Sequence, residues 1–197
     1  MKTPLLACLA LVPTLALLPG CGTTVTREDV NTVRDLSGNW NDTDSRLTAE
    51  HFSPKIVAGG WVDEYKAAHS GKKPVIKVGR VVVRTNGDVI NTEIFTNDLV
   101  RALVNSGKVK AVGNSNDADQ IRAERAEQDK NASEATRKES FQETGADFLL
   151  TGSINVADDQ EGKEKIKFYS VDLKLVDITT AEQVWFDNHK IKKMVER

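Results

Sequence analysis

Residues 148–177 read FLLTGSINVADDQEGKEKIKFYSVDLKLVD, and their pattern indicates the fold class. The apolar run Phe148–Ile154 predicts one strand, and Asp158–Gly162 is typical of a hairpin tip. From Lys165 to Asp177 apolar and polar residues alternate, as in a strand with one buried face. A short turn then leads into another predicted strand, Gln183–Met194. The C-terminal third is therefore predicted to be a β-meander.

Upstream of this meander, strands and helices alternate. The β-branched run Pro74–Arg84 predicts a strand inside the sheet, and Val109–Val112 predicts a short second strand. Between them, Asn91 is a candidate cap for a helix whose apolar residues recur every four positions, and Gly107 is its expected stop. This order predicts an α/β fold, a single domain with a mixed β-sheet flanked by α-helices on one or both faces.

Two further segments are expected to be helical. Structure is predicted to begin near Asp44 or Ser45, with Pro54 and the Gly59-Gly60 pair dividing the stretch to His69 into short helices. Residues 115–144 are charged and rich in alanine, and we expect their alanine face to lie on the sheet. Within them, Ser133 is a candidate cap of a second helix.

The first twenty residues differ from all that follow. Lys2 is their only charged residue, and an apolar run extends from Leu5 to Leu18. A run of about fourteen residues is too short to span a hydrocarbon core of about 30 Å, but it matches the apolar region of a signal peptide. We therefore predict that residues 1–20 are a lipoprotein signal peptide.

Cys21 is the expected lipid attachment site. Cys8 lies inside the signal, so the mature chain has a single cysteine and no internal disulfide. Leu18-Pro19-Gly20-Cys21 resembles the bacterial lipobox, whose cysteine is acylated and becomes the new N-terminus. Gly22 stands where an aspartate would favour retention in the inner membrane, which implies an anchor in the outer membrane, on its periplasmic face. The covalent lipid on Cys21 is the only cofactor expected.

Residues 21–45 are predicted to be the lipidated cysteine and a polar tether, and residues 46–197 the globular domain. Trp40 is the exception within the tether, because a large aromatic side chain in a solvated segment is usually docked. Two interpretations remain open: Trp40 docks on its own domain, or it contacts a partner.

Charge and motifs narrow the function classes. The net charge is −2, and loss of Lys2 with the signal brings the mature chain near −3, without the basic excess of a nucleic-acid-binding protein. There is no phosphate-binding glycine loop and no nucleophile elbow. His51, His69 and His189 are isolated in sequence, so no metal site is predicted. The pattern favours a binding protein over an enzyme.

Several stretches, in this order, resemble the LpoB family of outer-membrane lipoproteins that activate penicillin-binding proteins. They are residues 36–46 (LSGNWNDTDSR), 90–95 (INTEIF), 105–109 (NSGKV), 122–128 (RAERAEQ), 145–154 (GADFLLTGSI), 169–173 (YSVDL) and 184–185 (VW). The resemblance covers nearly all of the mature chain. It implies a fold similar to the N-terminal domain of TolB, a sheet flanked by helices.

The resemblance also implies a function. A member of this family reaches through the peptidoglycan, binds a small non-catalytic domain of a class A penicillin-binding protein, and stimulates its glycosyltransferase and transpeptidase activities. The domain is expected to be monomeric and to meet the membrane only through its lipid. The tether here is shorter than the Pro-rich tether of the best-known members. The candidate partner-binding residues are Trp40, Arg46, Arg122 and Arg125.

Two other hypotheses remain open at this point. The first is a structural or assembly lipoprotein of the outer membrane, part of a CsgG-like envelope complex with a related α/β fold. The second is an unrecognised hydrolase, which would need a cleft with at least two convergent titratable groups.

Overall fold

The computed structural model describes residues 23–85, 87–113, 115–138 and 143–196. Its elements, in chain order, are α1 (Asp42–Ala58), α2 (Trp61–Ala68), β1 (Val75–Arg84), α3 (Thr92–Asn105), β2 (Lys110–Val112), α4 (Ser115–Asn131), β3 (Phe148–Glu161), β4 (Glu164–Asp177) and β5 (Gln183–Glu196). Residues 33–197 form one compact unit, and the described part of the other unit, residues 23–32, contains a turn from Asp29 to Thr32.

The five strands form one mixed sheet in the order β2-β1-β3-β4-β5. β1 pairs in parallel with both β2 and β3, whereas β3, β4 and β5 are antiparallel neighbours. The parallel pairs require crossovers, which α3 and the segment containing α4 supply. The predicted α/β fold, a single domain with a mixed sheet and helices, is confirmed.

The core lies on one face of the sheet, beneath α1, α2 and α3. Its fully buried side chains come from both layers: Phe52, Ile56, Phe95, Leu99 and Leu103 from the helices, and Ile76, Leu150, Ile154, Tyr169, Val171, Leu173 and Leu175 from the strands. Their burial follows the periods of four along α3 and two along β4 that the sequence contains. The opposite face of these strands is polar and partly exposed.

The N-terminal helix differs from the prediction. α1 begins two residues earlier, at Asp42, because the Asn41 side chain accepts a hydrogen bond from the Asp44 N–H while the Asp44 carboxylate accepts one from the Asn41 N–H. It then continues through Pro54, which was expected to divide it. Pro54 is exposed, and the buried side chains of Phe52 and Ile56 on either side of it hold the helix on the core.

The β3–β4 hairpin is also longer than predicted. Its strands stay paired out to Glu161 and Glu164, so the turn lies at Gly162 and Lys163 rather than over residues 158–162. Charged side chains of opposite sign extend the pairing, since Lys165 forms a 2.6 Å ion pair with Asp158.

The helix α4 does not pack as expected. Ala123 and Ala126, on the face predicted to lie on the sheet, are exposed. After α4, Ser133 begins a short turn that closes at Thr136 and Arg137, and the described residues contain no second helix there. Residues 139–142 lie outside the described residues.

Candidate functional site

The predicted lipid site, Cys21, and the signal peptide lie outside the described residues, so both stay predictions. Among the helices of the described ranges, none is long and apolar enough to cross a membrane. In the same ranges, no group of three or more histidine, cysteine, aspartate or glutamate side chains is arranged to hold a metal ion.

Trp40 is docked on its own domain. Its ring meets the edge of Tyr169 at a centroid distance of 5.6 Å, and its indole N–H donates a 2.8 Å hydrogen bond to the Ser45 hydroxyl. The backbone next to it is held as well, because the Tyr169 hydroxyl donates to the carbonyl of Gly38 at 2.8 Å. Of the two interpretations of Trp40, docking on its own domain and contact with a partner, the structure shows the first.

Residues 35–45, here called the N-terminal segment, are attached to β4 and β5 by two buried lysines. Lys193 donates to Asp35 at 2.6 Å and to Asp44 at 2.7 Å, and it also reaches the carbonyl of Asn39. Lys167 donates to the Asn39 side chain at 2.7 Å. The chain therefore contacts the domain from Asp35 onward, about ten residues before the expected boundary at residue 46.

A third acidic residue completes this attachment. Asp88, in the loop before α3, pairs with Lys167, and its carboxylate lies 2.9 Å from the Tyr169 hydroxyl. The single proton of that hydroxyl is therefore shared between Asp88 and the carbonyl of Gly38. Burial alone would raise the pKa of Asp88, but the hydrogen bonds from Lys167 and Tyr169 outweigh burial and hold that pKa below its ordinary value. Gly38 fits closely here, since a Cβ on it would lie 2.6 Å from a methyl group of Val195. The N-terminal segment is therefore part of the domain.

Arg46 lies on α1, one turn after its start. Its guanidinium contacts Glu50 at 3.2 Å in an i,i+4 ion pair, and its side chain is about one quarter exposed. This geometry is that of a helix-stabilising pair.

Arg122 and Arg125 are brought together by one carboxylate. Arg122 holds Glu143 through two hydrogen bonds of 3.0 Å, and Arg125 contacts the same carboxylate at 3.3 Å. The hydrogen bonds from Arg122 are the largest cause of a lowered pKa at Glu143. These contacts tie α4 to the residues just before β3.

Between and beside these arginines, α4 presents an apolar side chain to solvent. Ile121 is 49% exposed and borders a surface depression on each side of the helix, of about 930 Å³ and about 420 Å³. Arg125 lines both depressions, while Gln128 borders the larger and Arg122 the smaller. An exposed aliphatic group ringed by arginines and amides has the composition of a small protein-binding surface. We call this set of residues the α4 surface.

The sequence analysis missed a second surface, on the face of the sheet opposite α1–α3, here called the open face. Cross-strand pairing places four rows of side chains on it: Thr151, Lys174 and Phe186; Val82, Ser153, Asp172 and Asn188; Arg84, Asn155, Ser170 and Lys190; and Ala157, Phe168 and Lys192. The alternation of β4 was a signal for it, because the polar half of that pattern had to face outward.

Hydrogen bonds join the middle rows of the open face. The carboxylate of Asp172 accepts from Asn155 at 3.0 Å on one side and from Asn188 at 2.6 Å on the other. Asn188 also donates to the Ser170 hydroxyl at 2.8 Å. Phe186 lies beside this network and is 60% exposed.

Two histidines that are far apart in sequence meet between α1 and β5. The rings of His51 and His189 lie 4.3 Å apart, and Asp187 accepts from Lys55 at 2.8 Å beside them. Burial lowers the pKa of His189, and the nearby charges of His51 and Lys55 lower it further. This cluster lies at the packing contact between α1 and β5.

Comparison with known proteins identifies a matching protein family. The family described as peptidoglycan-synthase activator LpoB matches residues 44–191, from the first turn of α1 into β5. No curated protein matches the chain.

Similar solved structures include two LpoB C-terminal domains. The domain from Escherichia coli has 23% identity over 61% of this chain and 83% of its own, with a TM-score of 0.37. The domain from Salmonella enterica has 22% identity over 67% and 93%, with a TM-score of 0.36. Lipoprotein GNA1162 from Neisseria meningitidis has 13% identity over 61% and 83%, with a TM-score of 0.40. Since the family match spans three quarters of the sequence and nearly all of the folded unit, the chain belongs to the LpoB family of peptidoglycan-synthase activators.

Proposed function

We propose that this protein is a lipid-anchored regulator that binds a class A penicillin-binding protein and activates it without catalysing a reaction itself. The family match over residues 44–191 carries this proposal. Activation of this kind requires that the regulator bind the active conformation of the synthase more tightly than the inactive one.

The α4 surface is the proposed contact with the synthase. Ile121 offers an exposed apolar group, and the guanidinium groups of Arg122 and Arg125 are already held in place by Glu143. Because these side chains are already held in place in the free protein, they lose less conformational entropy when a partner binds. Trp40 is docked against Tyr169 and Ser45, and Arg46 lies on α1, outside the α4 surface, so neither belongs to the proposed contact.

Anchoring is proposed to occur through the lipid on Cys21, at the periplasmic face of the outer membrane, after removal of residues 1–20. Confinement to a surface raises the effective concentration of the domain near a partner within reach of the tether. The Cys21→Ser variant should remain unprocessed and be lost from the outer-membrane fraction. Normal processing and fractionation of that variant would refute the anchor.

The synthase proposal is tested with the full-length lipoprotein in detergent and the class A synthases of its own organism. The measured quantity is the rate of glycan polymerisation from lipid-linked disaccharide. The Ile121→Glu variant should need at least about tenfold more protein for half-maximal activation, since truncating or charging a binding hot spot typically costs about 2 kcal/mol or more.

Ile178→Glu is the matched control, because Ile178 is 52% exposed in the turn between β4 and β5 and lies outside the α4 surface. It should activate like the wild type. No stimulation of any class A synthase by the wild type would refute the function, whereas normal activity of Ile121→Glu would refute only the α4 surface. The family match does not favour the alternatives, a CsgG-like assembly lipoprotein and a hydrolase.

A further inference from the structure

The centre of the open face presents planar polar groups in fixed orientations. Because Asn155 and Asn188 each donate to a different oxygen of Asp172, one carboxylate and two amides are held edge to edge across three strands. The N–H bonds of both amides are used within the face, since Asn155 also donates to Ser153 and Asn188 also donates to Ser170. The remaining capacity is that of acceptors, on the amide oxygens and on the carboxylate oxygens of Asp172, each of which has two lone pairs. Such a row suits a ligand with many hydroxyl and acetamido groups at regular spacing.

An aromatic ring lies at the edge of this polar row. Phe186 and Asp172 line a depression of about 230 Å³ together with Arg84, Ser153 and Lys174. Ligand sites combine an apolar wall with a few polar groups that fix orientation. The exposed ring of Phe186 offers a flat apolar platform for the C–H face of one sugar ring, while Asp172 and Ser153 lie within the same depression.

The cations of the open face are concentrated in its four rows, whereas the two rows beyond them, toward the β3–β4 turn, carry the carboxylates of Asp159, Glu161, Glu164 and Glu196. The four rows contain the cations Arg84, Lys174, Lys190 and Lys192 and a single carboxylate, that of Asp172. The chain as a whole carries a net charge of −2. Since complementary charge steers association and selects partners, the four rows favour an anionic ligand.

We propose that the open face binds an anionic glycan whose hexosamine rings carry short peptides with free carboxylates, the chemistry of peptidoglycan. The amide and carboxylate row hydrogen-bonds the ring substituents, Phe186 packs on a sugar ring, and the lysines and Arg84 pair with the carboxylates. This site is separate from the α4 surface and does not depend on synthase binding.

The test is cosedimentation of the full-length lipoprotein, in detergent, with isolated peptidoglycan sacculi. The wild type should sediment with the sacculi. The Phe186→Ala variant, which changes no charge, and the double variant Lys190→Glu/Lys192→Glu should each lower the bound fraction at least fivefold. The double variant Lys72→Glu/Lys108→Glu makes the same change of charge at exposed residues outside the four rows, and it should bind like the wild type.

Competition identifies the ligand class. Soluble disaccharide-peptide fragments should release the bound protein, whereas poly-glutamate of equal total charge should not. The proposal is overturned if the wild type stays in the supernatant, if Phe186→Ala sediments normally, or if poly-glutamate competes equally well. It is also overturned if the open-face variants lose synthase activation while keeping their binding to sacculi, because the face would then bind the protein partner. Circular dichroism and the thermal midpoint confirm that each variant is folded.

Discussion

Two lysines, Lys167 and Lys193, occupy buried positions where the sequence would favour apolar side chains. The side chain of Lys193 is 8% exposed and that of its partner Asp44 is 6% exposed. Removing a charge from water costs several kcal/mol, so such a pair is tolerated only when its hydrogen-bonding capacity is nearly filled. Here Lys193 uses three acceptors, all in the N-terminal segment, and thereby selects which stretch of chain covers this end of the sheet.

Replacing Lys193 with methionine should therefore destabilise the domain strongly. The substitution leaves the buried carboxylate of Asp44 without its cation. Removing one member of a buried ion pair typically lowers the free energy of unfolding by about 3–5 kcal/mol. The measurement is the free energy of unfolding in urea at neutral pH. Lys192→Met is the control, because Lys192 is exposed, and it should change stability by less than about 0.5 kcal/mol. Equal stability of the two variants would contradict this account.

The sequence contained half of this information. The alternation of β4 places residue 167 in phase with Tyr169, Val171 and Leu173, so burial of that position was readable. Its partner was not readable, because Asn39 lies 128 residues away and nothing in a local pattern connects the two. The partner of Arg122 and Arg125 was likewise not readable from the sequence. Glu143 follows them by about twenty residues, in a stretch that was expected to be helical, and no local pattern connects it to the two arginines.

At the scale of elements, α1 shows how packing overrides a local preference. A proline inside a helix removes one hydrogen bond and crowds the preceding turn, which predicted a break at Pro54. However, α1 packs along α3 and contacts β5, and the burial of its apolar side chains extends across the proline. Helix α4 shows the opposite case. Its alanines suggested a buried face, but Ile121 is almost its only large apolar residue, and so little apolar surface was too small to bury the helix against the sheet.

The contact between α1 and β5 should depend on pH through His189. Its pKa is lowered in the folded state by burial and by the charges of His51 and Lys55, although Asp187 and Asp44 oppose the shift. The unfolded chain therefore binds this proton more readily, and stability is lost as the pH falls below about 6.5. In the His189→Gln variant, the free energy of unfolding should fall less between about pH 7.5 and pH 5.5 than in the wild type.

His69→Gln is the matched control, because His69 is exposed at the end of α2. It should keep the pH dependence of the wild type. Urea unfolding at the two pH values checks both variants, and an unchanged pH dependence in His189→Gln would show that this histidine does not govern the contact.

For the molecule as a whole, the most direct prediction concerns the residue at which the folded domain begins. The reference for this prediction is a chain that starts at residue 33, the first residue of the larger compact unit. A chain that starts at residue 42 lacks Asp35, Asn39 and Trp40 and should lose at least about 3 kcal/mol. Equal stability of the chains starting at 33 and 42 would place the boundary where the sequence suggested it, near residue 46.

Whole-molecule properties were readable from sequence to different degrees. The order of the elements and the apolar periodicity of α3 and β4 predicted a layer of helices packed on a sheet, because each element must bury one apolar face. The open face could not be recognised as a surface, because its rows combine single residues from four strands whose register no local pattern encodes. Arg84, Asn155 and Lys190, for example, are spread over more than a hundred positions and share one row only after folding.

The contact between Asp35 and Lys193 has a consequence for chain connectivity. These residues lie at opposite ends of the folded unit, yet their charged groups are 2.6 Å apart. Entry and exit of the polypeptide are therefore neighbours in space, as they are in many domains that tolerate circular permutation. A permuted gene that opens at Gly162 and joins residue 196 to residue 34 through a short glycine-serine bridge would preserve every strand pairing of the sheet.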